Sequence, residues 1–91
     1  MDIRVEAIRN DALVGRGTCA SVDECYSDED LIAELNEHNI TTPRAAVEWA
    51  RDGEEIWLER GLNQRWGSDY DEYLLMYNEW KENVDKNPIA C

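Results

Sequence analysis

The chain has 91 residues, of which 21 are acidic and 9 basic, for a formal net charge of −12. That length fits one domain and no second, and folding at this size buries about 60–65% of the unfolded surface, enough for one modest core. The charge argues against a membrane surface or a nucleic-acid backbone as direct partner, because both are anionic; it suits a basic partner, or solubility alone.

Asp2-Ile3-Arg4 at the amino terminus shows no basic region leading into an apolar run, so no secretory signal is expected. No apolar run approaches the ~18 residues that a membrane span requires. Cys19, Cys25 and Cys91 make an odd set, which reads as reduced thiols in a cytoplasm. Four Trp and four Tyr, with no Phe, supply much of the apolar surface. Each carries an N–H or O–H that needs a partner, which favours the edge of a core.

Val5, Ile8 and Ala12 share one stripe of a first helix over 4–14, stopped by Gly15 and Gly17. Ile3, Val5 and Ala7 also alternate, so a strand over 3–7 competes with it. Ser21 and Glu24 have capping-box spacing and predict a short extra turn. Ser27 opens a firmer helix to about His38, with Asp28, Glu29 and Asp30 in the first turn, where the positive end of the helix dipole favours them. Leu31, Leu35 and His38 form its inner face, with Ile32 on the flank.

Thr42-Pro43 pairs an N-cap with proline at the first helical position and starts the longest helix, to about Trp66. Its broad face holds Ala46, Trp49, Ala50, Gly53, Ile56, Trp57 and Gly61, opposite an acidic stripe of Glu48, Asp52, Glu55 and Glu59. A helix-interior glycine costs about 1 kcal/mol relative to alanine, so Gly53 and Gly61 are expected to admit a close neighbour. Gly67-Ser68 breaks the chain, and a last helix runs to about Val84 with Tyr70, Tyr73, Leu74, Tyr77, Trp80 and Val84 on one stripe. Asn87-Pro88 ends it, with residues 86–91 frayed. The expected fold is all-α, a single domain over 1–91: a small bundle of about four main helices with one short extra turn.

Metal and catalytic motifs are weak. Cys19 and Cys25 lack zinc-ligand spacing, and His38 is the sole histidine. An EF-hand register from Asp23 puts Glu34 at its last position but Asp28 where the loop requires glycine. There is no nucleophile elbow or phosphate-cradling loop. Cys25 with His38 is the one conceivable nucleophile pair, though a histidine at a helix end more often satisfies carbonyls or packs on the core. The expectation is no catalytic residue, no metal, no cofactor and no enzyme activity. The stretch from Asp30 to Arg51 has a helix–turn–helix shape, but its second helix offers only Arg44 and Arg51 among carboxylates, too little for reading DNA.

Charge distribution is the strongest signal. No Lys or Arg lies between Arg16 and Arg44, while Asp23, Glu24, Asp28, Glu29, Asp30, Glu34 and Glu37 fall there; Asp69, Asp71, Glu72 and Glu79 fill a similar gap between Arg65 and Lys81. Carboxylates one helical turn apart stand about 6 Å from each other, a scale comparable to duplex phosphates. Such an array can substitute for a nucleic-acid backbone; the alternative is a solvated face with helix-capping duty. Asp23, Glu24, Asp28, Glu29, Asp30, Glu34, Glu37, Asp69, Asp71 and Glu72 are therefore the candidate partner-binding residues.

With Val14-Gly-Arg-Gly-Thr-Cys-Ala-Ser-Val-Asp-Glu-Cys25 and Ile40-Thr-Thr-Pro-Arg-Ala-Ala-Val-Glu-Trp49, the chain resembles the small acidic accessory proteins of phages and mobile elements, the anti-CRISPR inhibitors among them. The likeness is one of type and gives no residue a role. It implies action in a bacterial host cytoplasm on a defence complex with a basic nucleic-acid channel. The functional expectation is a non-catalytic inhibitor that binds the basic surface of a nucleic-acid-handling protein, with no direct contact to nucleic acid or membrane. The alternative is an interaction or assembly module that docks, or forms a homodimer, through its Trp/Tyr surface.

Overall fold

The computed structural model describes residues 2–14, 17, 26–64 and 69–89. Among them the chain is all-helical, with no strand: α1 Ile3–Leu13, α2 Asp28–Glu37, α3 Pro43–Gln64 and α4 Asp69–Lys86. The short turn expected after Ser21 lies outside the described residues, as do all three cysteines.

The competition at the amino terminus resolves as helix. Asp2 caps α1, its carboxylate accepting from the Arg4 amide at 2.9 Å, and the Glu6 amide reaches the Asp2 carbonyl at 3.0 Å. Val5 and Ile8 are buried at helical spacing, whereas Ile3 is 63% exposed, which breaks the alternation a strand would need. The third inward position is Asp11 and not Ala12, which is half-buried.

Ser27 caps α2, its hydroxyl accepting from the Asp30 amide at 3.2 Å. At the other end Asn39 takes a left-handed φ of 58°. There the Ile40 amide returns to the Leu35 carbonyl at 2.9 Å and the Asn39 amide to the Asn36 carbonyl at 3.1 Å, the paired bonds of a Schellman stop. The stop turns Ile40 back onto the core beside Leu35. Thr42 then caps α3, with the Ala45 amide donating to its hydroxyl at 3.2 Å and Pro43 opening the first turn.

α3 is the central element: α1 packs along it, α4 packs on it, and α2 leans on α1. Val5, Ile8, Leu31, Leu35, Ala46 and Ala50 form one buried cluster, bordered by Ile32, Ile40 and Trp49. Each large aliphatic chain in it stabilises the fold by about 1.5–3 kcal/mol relative to exposure. Ala46 and Ala50 are small, so α1 can sit close to the α3 backbone.

The inward face of α3 is rotated from the one its bulky residues suggest. Ala46, Val47, Ala50, Arg51, Glu54, Leu58 and Gly61 are buried, while Gly53 is exposed, Ile56 is 55% exposed and Trp57 42% exposed. The reason is local chemistry on α1, where Asp11 draws Arg51 inward. Gly61 does admit a neighbour, since a Cβ there would run into the Tyr73 ring; at Gly53 nothing stands within 4 Å.

No residue of α4 is fully buried. Tyr73, Met76, Tyr77, Trp80 and Val84 are half-buried toward α3, and Tyr70 and Leu74, expected on the inner stripe, lie on its exposed flank. α4 continues to Lys86, and Arg44 donates to the Ile89 carbonyl at 3.0 Å, so the chain stays anchored to that point.

Candidate functional site

Three arrangements stand out: a buried ion pair, a set of exposed carboxylates and an aromatic groove. The ion pair joins α1 to α3. Arg51 donates from Nε to Asp11 Oδ2 at 3.1 Å and from Nη2 to Oδ1 at 2.7 Å, with side chains 6% and 8% exposed. This fork-to-carboxylate geometry fixes both rotation and distance between the helices. It also removes Arg51 from any surface role, so the second helix of the helix–turn–helix-like segment cannot present it to DNA.

Gly17 sits against the same pair. It is buried with φ +135°, and a Cβ there would come within 2.9 Å of Val84 and 3.1 Å of Arg51 Nε. A side chain is thus excluded both by backbone conformation and by space.

Arg4, Arg9 and Arg44 are also tied to the fold. Arg4 donates to both Asp2 oxygens, at 3.0 and 2.7 Å, and its remaining Nη1 reaches the Ile40 carbonyl at 2.7 Å and Asn36 at 3.0 Å. Hydrogen bonds from Arg4 hold the Asp2 carboxyl down at about 2. Arg9 bridges the Tyr26 carbonyl at 2.6 Å and Asp28 at 3.1 Å. Arg44 pairs with Glu48 at 3.4 Å, and Lys86 with Glu82 at 2.7 Å, which lowers the Glu82 carboxyl.

Against this background the candidate acidic residues divide. Asp23 and Glu24 lie outside the described residues. Asp28 is held by Arg9, from a helix absent in any local reading of charge. Glu34 is half-buried, 3.6 Å from His38 Nε2. Glu29, Asp30 and Glu37 on α2, and Asp69, Asp71 and Glu72 on α4, are exposed and have no cation beside them among the described residues. α2 and α4 share no substantial packed interface, so the two groups stand on separate helices.

His38, expected on the inner face of α2, is its exposed C-cap, with its ring 6.2 Å from that of Trp49. Cys25, paired with it in the sequence reading, lies outside the described residues; among the described residues no three His, Cys, Asp or Glu gather as a metal site.

Comparison with protein-family models, curated proteins and solved structures finds no match. What the molecule can do therefore rests on its own surfaces.

The third arrangement is a feature that pattern reading assigned to the core. Tyr26, Trp49, Gly53, Ile56, Trp57 and Arg60 line an open groove of about 380 Å³ on α3. Trp57 closes one side through its contact with Tyr73, ring centres 5.5 Å apart. The sequence signal was present in the alternation of tryptophan, glycine and isoleucine at helical spacing, but it does not tell which way the stripe faces.

Proposed function

We propose that this protein is a non-catalytic inhibitor that binds the basic surface of a nucleic-acid-handling protein through the exposed carboxylates of α2 and of the first turn of α4. A CRISPR effector is one complex with such a surface. The observation that supports this reading is the division of charge. Arg4, Arg9, Arg44 and Arg51 hold caps, carbonyls and carboxylates within the fold, while Glu29, Asp30, Glu37, Asp69, Asp71 and Glu72 face water. The excess negative charge is therefore displayed at the surface, where it attracts a cationic partner and is screened within about 8–10 Å.

The test is competition. A partner captured on the immobilised protein is challenged with single-stranded DNA or RNA at fixed ionic strength. Release by nucleic acid, and loss of capture in a Glu29→Gln/Asp30→Asn/Glu37→Gln variant, are expected. Asp28 is left intact because its bond to Arg9 is structural. Equal capture by variant and wild type would remove this reading.

A second reading is favoured by a different observation: Ile56 and Trp57, large and apolar, are 55% and 42% exposed on the longest helix. It describes an assembly module docking through its aromatic surface, with charge serving solubility.

A further inference from the structure

We propose that the groove along the outer face of α3 is the docking site of a basic amphipathic helix from a partner protein. This rests on the second reading above and names its site and its ligand.

The first support is Gly53. It stands in the interior of a helix, where glycine is unfavourable, and no described residue uses the space: among the described residues a Cβ there would meet nothing within 4 Å. The same helix shows what such a gap accommodates, because at Gly61 the ring of Tyr73 from α4 fills it. Gly53 lies one turn from Trp49 and one turn from Trp57, with Ile56 beside it, so an incoming side chain would land on the glycine between aromatic walls. The volume of about 380 Å³ suits one or two large apolar side chains.

The second support is charge complementarity. Glu48, Asp52, Glu55 and Glu59 run along one side of the groove at i, i+4, i+7 and i+11. A docked helix with its apolar stripe on Trp49, Gly53 and Ile56 would set its flanking Lys or Arg residues against that row. Arg60 at the far end repels such residues, which places them toward Asp52, since Glu48 is already paired with Arg44. A second copy of this chain is a poor occupant, since it would bring another surface of net charge −12 against the acidic row. Helix-in-groove docking by anchors spaced i, i+3, i+4 and i+7 is an established mode of recognition.

The test uses synthetic helix-forming peptides of about 15 residues, matched to the groove at ~1.5 Å per residue. One carries a Leu/Trp stripe flanked by Lys, one has the same stripe flanked by Glu, and one has the Lys residues without an ordered stripe. Binding is read from the fluorine NMR signal of 5-fluorotryptophan, which replaces tryptophan in the peptides, as the full-length protein is titrated in. The Lys-flanked stripe is expected to bind at least roughly tenfold more tightly than either control, and Gly53→Leu to weaken it by a similar factor while the protein stays folded. Asp52→Asn/Glu55→Gln should weaken it several-fold, and the α2 variant Glu29→Gln/Asp30→Asn/Glu37→Gln should leave it unchanged. Equal binding of the ordered and disordered Lys peptides, or wild-type affinity in Gly53→Leu, overturns the proposal. So does self-association in sedimentation that Gly53→Leu abolishes, although that result would preserve the broader aromatic-docking reading with a second copy as occupant.

Discussion

The indole N–H of Trp80 donates to the Gly17 carbonyl at 2.7 Å, joining α4 to a residue 63 positions earlier in the chain. The bond sets a half-buried tryptophan on Gly17, which itself stands against the Arg51 guanidinium. Trp80→Phe keeps most of the ring area but removes the donor and should destabilise by about 1–2 kcal/mol. Trp80→Ala removes both and should cost about 3 kcal/mol, the low end for aromatic truncation because the site is half-buried. Urea unfolding of the two variants separates the contributions; wild-type stability in Trp80→Phe would mean that the hydrogen bond contributes nothing, and equal losses in the two that the ring adds nothing beyond it.

Breaking one half of the Asp11–Arg51 pair leaves the other charge buried. Asp11→Ala should therefore cost about 3–5 kcal/mol, while Asp11→Leu/Arg51→Met, apolar on both sides, should recover most of that loss. If the double variant is no more stable than the single one, the cost belongs to packing and not to the stranded guanidinium.

The two glycines of α3 should respond in opposite directions. Gly61→Ala forces the Tyr73 ring from its seat and should lower the melting temperature. Gly53→Ala meets nothing and gains helix propensity, worth about 1 kcal/mol of added stability. Paired thermal melts read the sign of each, and a loss of stability in Gly53→Ala would show that its open space is used within the chain.

The amino-terminal clip should titrate in acid. Asp2 has its carboxyl lowered from 3.8 to about 2 by hydrogen bonds from Arg4. A depressed carboxyl contributes stability that is fully present above the unfolded value and is lost as pH falls through the folded one. The contribution should fade between about pH 4 and pH 2. Carboxyl-carbon NMR through this range checks it, and an Arg4→Gln variant should raise the Asp2 carboxyl only part of the way back, because the residue-4 amide still caps it.

Much of this architecture is readable from local chemistry. Ser27 and Thr42-Pro43 mark helix starts that the structure keeps, because a cap acts on amides two or three residues away. What escapes such reading is non-local. The rotation of α3 follows from a partner for Arg51 that lies 40 residues earlier, and Asp28 finds its cation on α1. A pattern that ranks Trp49, Ile56 and Trp57 above Arg51 and Glu54 turns the helix the wrong way. The candidate acidic residues on α2 and α4 were legible as exposed charge, whereas the groove was hidden by the assumption that aromatic residues face inward.

α4 makes its attachments without a single fully buried side chain, through Tyr73 at Gly61, Trp80 at Gly17 and Arg44 at Ile89. The helices of the amino-terminal half, in contrast, share a sealed aliphatic cluster. Cooperative units of a protein open in order of the contacts that hold them, so the last helix should be the first to detach as a unit. Native-state hydrogen exchange should then show α4 amides exchanging through a sub-global opening, with those of α1 and the first half of α3 protected until the whole molecule unfolds. In that opened form Trp57 loses the Tyr73 ring that closes one wall of the groove. Occupancy of the groove and attachment of α4 would thus be thermodynamically linked: a ligand that needs the wall intact would slow exchange in a helix it never touches.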